Sequence, residues 1–226
     1  MEVDISDYVG HYIYFGFPEL AFQNFKNFIK EGDVILDIGA NIGFTALNFA
    51  KLVGPTGTVY AFEPDPYNYL QLENNWRLNK LMNLKLINIG LGSTHQIVKL
   101  KTELEDNRGK NRVDFNATEN FAEVSIVTID DFVKNANIKF VHLIKIDVEG
   151  YEYEVLKGAK NVLKVYKPKL FVEIDEQNLT FHKSSPNEVV SFLLQIGYTT
   201  FKDAACGKDI YLDTDFSKCH FDLLVY

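Results

Sequence analysis

The sequence predicts an α/β fold, a doubly wound and mostly parallel sheet with helices on both faces. Three observations carry that prediction. Apolar runs of strand length alternate with segments of helical spacing along most of the chain, an order that implies right-handed crossovers and a sheet covered on both sides. The first such run, Val34 to Leu36, leads into a tight glycine loop, Asp37 to Gly43 with Gly39, Ala40 and Asn41 inside it, and then a helix. The next run, Thr58 to Phe62, ends at Glu63, 20 residues beyond Gly43. A doubly wound fold places there a carboxylate that accepts hydrogen bonds from ribose hydroxyls.

Before the first strand, Pro18 marks a helix start, and Phe22, Phe25, Phe28 and Ile29 form an apolar stripe that ends near Gly32, as a capping helix would. Such a stripe belongs to a core more often than to a substrate pocket, although this helix could also roof a site. Thr45 to Val53 has helical spacing at Leu47, Ala50 and Lys51. After Glu63, Pro66 opens a helix that runs to Asn79, and Leu84 to Ile89 is the third strand.

The pattern then changes. Gln96 to Leu100 and Val124 to Val127 alternate like antiparallel or edge strands. The polar stretch between them, Glu103 to Asn120, reads as a mobile loop and a candidate acceptor gate, or equally as a solvated surface excursion. Thr128-Ile-Asp130-Asp131 has the form of an N-cap and an acidic first turn. His142-Leu-Ile-Lys145-Ile-Asp147 is a buried strand ending in acids, with a helix beginning at Glu152. Lys169 to Glu173 is a fifth strand, and it carries one more acid, Glu173, to the same rim. Open α/β sheets bind ligands outside the carboxyl ends of their strands near the switch in strand order, so Asp37, Glu63, Asp147 and Glu149 are expected to converge there. For Glu149 and Glu152 simple helix-dipole stabilisation, about 0.3 to 1 kcal/mol, is the bland alternative.

Composition narrows the class. The 226 residues are 46% apolar, enough for a full core, and one domain is the default at this size. A net charge of −8, without a lysine or arginine cluster, argues against nucleic acid or an anionic membrane as the main partner. A small-molecule or glycan acceptor fits better. The chain has no run of 18 uncharged apolar residues and no basic start of a secretory signal, so a cytoplasmic protein without a membrane span is expected. Cys206 and Cys219, with His220 adjacent, form no C-x-x-C pair; reduced thiols are expected, and no zinc ligand set assembles from these spacings.

Charge selects the nucleoside. The fingerprint G-x-G-x-x-G lets a pyrophosphate lie on a helix N-terminus without a neighbouring anion. Here the loop is G-x-N-x-G, with Asp37 on its threshold, and a carboxylate about 4 Å from a phosphate repels it by about 4 kcal/mol at an effective dielectric of about 20. S-adenosylmethionine has a ribose but no phosphate, and its sulfonium and ammonium are cations that an acid attracts. Three alternatives stay open: a glycine turn that merely closes a helix on a strand, an NAD-type oxidoreductase, and a non-catalytic nucleoside-binding module.

Asp37-Ile-Gly-Ala-Asn-Ile-Gly43, Glu63-Pro64-Asp-Pro66, Val127-Thr-Ile-Asp-Asp131, Lys145-Ile-Asp-Val-Glu-Gly150 with Leu156-Lys-Gly158, and Val172-Glu-Ile174 resemble the successive motifs of the FkbM family of methyltransferases. The resemblance spans about residues 33 to 174 and implies a Rossmann-like class I methyltransferase fold with seven strands. It also implies use of S-adenosyl-L-methionine and, usually, O-methylation of a sugar or natural-product hydroxyl. By that resemblance Asp37, Gly39, Asn41 and Gly43, with Ala40 between them, line the methionine end of the cofactor, Glu63 with Pro64 meets the ribose, and Asp147 stands beside the methyl group. Residues 1–32 then form a helical cap, 33–174 the cofactor-binding core, and 175–226 the unmatched part that completes the sheet and the acceptor region. The chain starts close to its core, as a short family member or a shortened form would. Asp65-Pro66-Tyr67 resembles part of the D-P-P-Y motif of nucleobase amino-methyltransferases, but it follows the second strand, where an ordinary helix start accounts for it.

Methyl transfer needs an acceptor oxygen held about 3 to 3.5 Å from the methyl carbon, exclusion of water, and a group to take the hydroxyl proton. Asp147 or Glu149 is expected to act as that base or to orient it, with Glu173 and His182 as further candidates. The near-neutral reference pKa of histidine qualifies His182, although a lone loop histidine is often incidental. No resident metal is expected, though clustered acids could instead hold a divalent ion.

Overall fold

The structure is a computed structural model and describes residues 1–4, 8–15, 20–102 and 110–226. The chain begins with α1 (Tyr8–Phe15), α2 (Leu20–Phe25) and a 3-10 turn at Lys26–Phe28. There follow β1 (Val34–Ile38), α3 (Phe44–Leu52), β2 (Thr58–Phe62), α4 (Pro66–Asn79) and β3 (Leu84–Ile87). A middle section contains β4 (Gly90–Leu91), β5 (Gln96–Lys101), β6 (Arg112–Val113), β7 (Phe121–Val127) and α5 (Ile129–Asn135). The remainder is β8 (Leu143–Ile146), α6 (Glu152–Lys157), α7 (Lys160–Tyr166), β9 (Lys169–Asp175), α8 (Glu176–Phe181), α9 (Pro186–Ile196), β10 (Phe201–Asp203) and β11 (His220–Val225).

Seven strands form the main sheet in the order β10-β11-β9-β8-β1-β2-β3. All neighbouring pairs are parallel except those made by β11, which runs against both β9 and β10. The sheet is therefore mostly parallel, as expected. The chain winds outward from β1 through β2 and β3, then returns to pair β8 against the other side of β1. The crevice at the carboxyl ends of β1 and β8 is thus the switch point of the fold.

Alternation along the strands sorts side chains between two cores. Leu36 and Ile38 of β1, with Ile144 and Ile146 of β8, enter one cluster. Ile35 and Leu143 enter the other, beneath α3, with Phe49, Phe25 and Phe171. Asp37 and Lys145 share that second face by period, and they are direct partners in the β1–β8 register. Both are buried.

The expected edge strands form a sheet of their own, ordered β4-β7-β5-β6. The third strand stops at Ile87, because the chain turns at Ile89 and pairs Gly90 and Leu91 with Ile126 and Val127. Part of the predicted loop is regular: Arg112 and Val113 pair antiparallel with Lys101 and Leu100. Residues 103–109, the most polar part of that loop, and Pro18, the expected helix start, lie outside the described residues. The aromatic stripe does enter the core, since Phe25 is fully buried with its ring 4.3 Å from that of Phe171.

The helix starts agree with their residues. Asp65 accepts a hydrogen bond from the Asn68 amide at 2.8 Å with Pro66 in the first turn, and Thr128 accepts from the Asp131 amide at 3.1 Å. Each such cap contributes about 1 kcal/mol. Asp65-Pro66-Tyr67 is thus a helix start. Cys206 and Cys219 are free thiols. No helix among the described residues is long and apolar enough to cross a membrane.

Candidate active site

A cavity of about 710 Å³ opens at the switch point, within the usual range for small-molecule sites. Its floor is the glycine turn. Gly39 adopts φ +78°, and a Cβ there would lie 1.7 Å from the Asp147 carbonyl oxygen, so only glycine lets β1 leave the sheet this close to β8. Asn41 follows in the left-handed region at φ 50°, which asparagine tolerates better than most residues. The turn is fastened from the next strand: the two oxygens of Glu63 accept from the backbone amides of Asn41 (2.8 Å) and Asp65 (2.9 Å). Burial pushes the Glu63 carboxyl up to about 7, against the pull of those two amides. Each oxygen keeps a second lone pair for an outside donor.

Beneath the turn lies an ion network. The Lys145 ammonium is 3.0 Å from Asp147, 3.7 Å from Asp37 and 3.1 Å from the Gly39 carbonyl. Burial by itself would lower its pKa, but the charges of Asp147 and Asp37 reverse this and hold the ammonium above its ordinary value. Asp37 accepts a 2.7 Å hydrogen bond from the Thr45 hydroxyl, while its other oxygen has no hydrogen bond. Burial raises the pKa of Asp37, and Lys145 and Thr45 work against that rise.

The far wall carries acids from two strands. Ile146 pairs with Val172, so one position further Asp147 leaves β8 beside Glu173 of β9. One oxygen each from Asp147, Glu149 and Glu173 lies within 4.8 Å of the others. Glu149 sits at φ 53° and Gly150 at φ 97°, a strained turn of the sort found at functional sites. Glu152 fastens it: one buried oxygen accepts from the amides of Val148 and Gly150, both at 3.0 Å. Burial, then the charges of Glu173 and Asp147, pushes Glu149 up to about 8. Lys145 and His220 oppose the acids from below and from the rim.

Of the residues singled out from sequence, Gly39, Ala40, Asn41, Glu63, Pro64, Asp147, Glu149 and Glu173 line the cavity. Asp37 and Gly43 do not. Asp37 is wholly buried and works through Lys145 and Thr45, and Gly43 forms the N-cap of α3 at φ 95°. Asp37 is therefore matched by an ammonium, and it is Glu63, Asp147, Glu149 and Glu173 that leave the cavity anionic. His182 also stands outside the lining, its ring 5.3 Å from that of Tyr151, and burial with the nearby Arg112 charge lowers its pKa to about 4. Lys145, Thr45, His220, Asp222, Lys110 and Asn111 line the cavity without having been singled out. A lysine inside the apolar strand Leu143-Ile-Lys145-Ile was a visible signal. Thr45 follows the glycine turn directly, and the others are brought in by pairings between distant segments.

Residues 37–200 match the family described as the Methyltransferase FkbM domain, well over half of the 226-residue chain. The chain belongs to the FkbM methyltransferase family. The match continues to residue 200, past Ile174, where the sequence motifs stop. Hexuronic acid methyltransferase AglP of Haloferax volcanii is 31% identical over 137 residues, 60% of this chain and 53% of that protein. The 31-O-demethyl-FK506 methyltransferase FkbM of Streptomyces tacrolimicus is 29% identical over 161 residues, 59% of this chain and 62% of that one. The chain thus spans a little over half the length of these two relatives.

Among solved structures, methyltransferase FkbM from Methylobacillus flagellatus KT superposes with a TM-score of 0.57 at 20% identity, covering 86% of this chain and 43% of that one. A Streptococcus mutans protein solved in complex with SAH superposes at 0.54 and 10% identity, covering 92% of this chain and 95% of that one. At such identities the likeness is one of fold. This FkbM-family chain has the Rossmann-like methyltransferase architecture.

Proposed function

We propose that the chain transfers a methyl group from S-adenosyl-L-methionine to a hydroxyl of a sugar, glycan or natural product. The observation that carries this reading is one cavity in which the acidic side chains of Glu63, Asp147, Glu149 and Glu173, from β2 on one side of β1 and β8 and β9 on the other, face a tight glycine turn. Such a site repels a diphosphate and attracts a cationic sulfonium donor. The chemistry of the relatives agrees in kind, since AglP is named for a hexuronic acid and FkbM for a 31-O-demethyl acceptor. The S. mutans fold neighbour holds SAH.

The residues fit the donor. Gly39 and Asn41 leave room and a backbone edge for its amino-acid end, and Asp147 offers a carboxylate to its ammonium. Glu63 has lone pairs for the ribose hydroxyls, and Pro64, Ile89 and Leu91 supply apolar surface for a base. When bound, the donor supplies a methyl group already activated by its sulfonium. The protein has to align the acceptor oxygen, exclude water and take up one proton. The last role falls to the acids of the far wall, Asp147, Glu149 and Glu173; the acceptor lies between them and the second sheet, whose Leu100, Val113 and Ile126 line the cavity. Incubation with labelled donor and a panel of uronic acids, neutral sugars, glycolipids and hydroxylated natural products tests the reading. Label in an acceptor with stoichiometric release of S-adenosylhomocysteine supports it, whereas donor binding with no transfer to any member contradicts it.

A further inference from the structure

We propose that His220 is a positioning residue that holds Glu173 as a carboxylate anion facing the acceptor, and that Glu173 receives the hydroxyl proton. The inference rests on the methyltransfer reading above. His220 opens β11, which runs against both of its neighbours in the main sheet, and comes to the cavity through the pairing of β11 with β9. Its Nε2 lies 3.1 Å from one oxygen of Glu173, and its Nδ1 is 3.9 Å from Asp175. The other Glu173 oxygen is buried and has no hydrogen bond. One oxygen is tied to an imidazole while the other has no hydrogen bond, and the carboxyl group has an oxygen within 4.8 Å of oxygens of Asp147 and Glu149.

The other two acids are less suited to the task. Asp147 is paired at 3.0 Å with the Lys145 ammonium, so one of its oxygens is already engaged below the cavity. Glu149 accepts from the Asn178 side chain at 2.8 Å and holds its proton up to about pH 8. Glu173 is surrounded by charge: Lys145 and Asp147 from β8 and its turn, Glu149 and Glu152 from that turn and α6, Asp175 on its own strand, and His220 and Asp222 from β11. Burial and Asp147 push its pKa up, while His220 and Lys145 push it down. Lys145 also serves Asp37 and the Gly39 carbonyl, whereas at the rim the nearest partner of His220 is Glu173, with Asp175 further off. In the step proposed, the acceptor oxygen bonds to the methyl carbon as the carbon–sulfur bond breaks toward sulfur. The hydroxyl proton passes to the Glu173 carboxylate, leaving a neutral sulfide and a carboxylic acid that releases its proton to solvent.

The test is a titration of carboxyl-labelled glutamate and ring-labelled histidine by NMR in wild type, H220Q and H220K, each saturated with S-adenosylhomocysteine. The Glu173 signal is the one missing from E173Q, or displaced in E173D should E173Q not fold, and the His220 signal is the one missing from H220Q. The expected result is a Glu173 midpoint at least about one pH unit higher in H220Q, a tenfold change in the ionised fraction, and its return toward wild type in H220K. An unchanged Glu173 midpoint in H220Q overturns the proposal, as does a wild-type His220 that titrates at or below the ordinary histidine value. Calorimetry on the same samples separates the two levels of inference: if wild type does not bind S-adenosylhomocysteine, the methyltransfer reading fails first.

Discussion

Lys145 ties three groups with one ammonium, Asp147, Asp37 and the Gly39 carbonyl, and it does so from the interior of a fully buried strand. Removing one partner of a buried pair leaves an uncompensated charge, which costs about 3 to 5 kcal/mol. Lys145→Met is therefore expected to destabilise the chain by about that amount in denaturant unfolding. Adding Asp37→Asn should recover part of the loss, and simple additivity of the two changes would refute the pairing. Gly39 is constrained by backbone alone, with a positive φ and the Asp147 carbonyl in the space of a Cβ. Gly39→Ala should cost about 3 kcal/mol, a fall in Tm on the order of 6 to 12 °C for a chain of this size. A variant that melts with wild type would show that the turn can relax. At this scale the sequence announced Gly39, Asn41 and Glu63, because a strand, turn and helix encode them locally. Asp37 was assigned to the donor too directly, since its neutralisation depends on Lys145, 108 residues away.

Two elements shape the site from opposite sides. The turn from Asp147 to Gly150 carries two of the acids and passes through two residues of positive φ. The first residue of α6, Glu152, holds it by accepting from two of its amides. Glu152→Leu removes the oxygen that accepts both bonds, so the turn should loosen and affinity for S-adenosylhomocysteine should fall about tenfold or more by calorimetry, the equivalent of about 1.4 kcal/mol. Unchanged affinity in a folded variant would show that the turn holds its shape without Glu152. On the other side, the strands from β4 to β7 form a separate wall. The period-two alternation of Gln96 to Leu100 and Val124 to Val127 gave away the strands, but nothing local said that they would leave the main sheet, or that β6 would bring Lys110, Asn111 and Val113 to the cavity. His220 and Asp222 were hidden for the same reason. They reach the site only because β11 pairs with β9 across more than 40 residues of chain.

Over the whole molecule, the acids that make the cavity also set its pH response. Glu63 is raised to about 7, and Glu149 and Glu152 to about 8, all by burial first. Between their ordinary value of 4.5 and those values the native chain holds protons that the unfolded chain has released, so stability without ligand should fall as pH rises across that window. His220, raised to about 9 by Glu173, acts in the same sense: its contribution is full below the ordinary histidine value and is lost as pH passes about 9. His182, lowered to about 4, opposes these groups between about pH 4 and 6.5. The net expectation is a Tm that declines from about pH 6.5 to 9 in the free protein. A Tm that climbs over that range would contradict these assignments. Binding of a cationic donor should run the other way, strengthening with pH as the same acids ionise, because the cation favours their charged forms.

The most direct test of the central claim is competition calorimetry at about pH 8 with S-adenosylmethionine, S-adenosylhomocysteine and NAD. The account predicts that both sulfur compounds bind once per chain and that NAD neither binds nor displaces them. Tight binding of NAD at this cavity, with no heat from either sulfur compound, would contradict it.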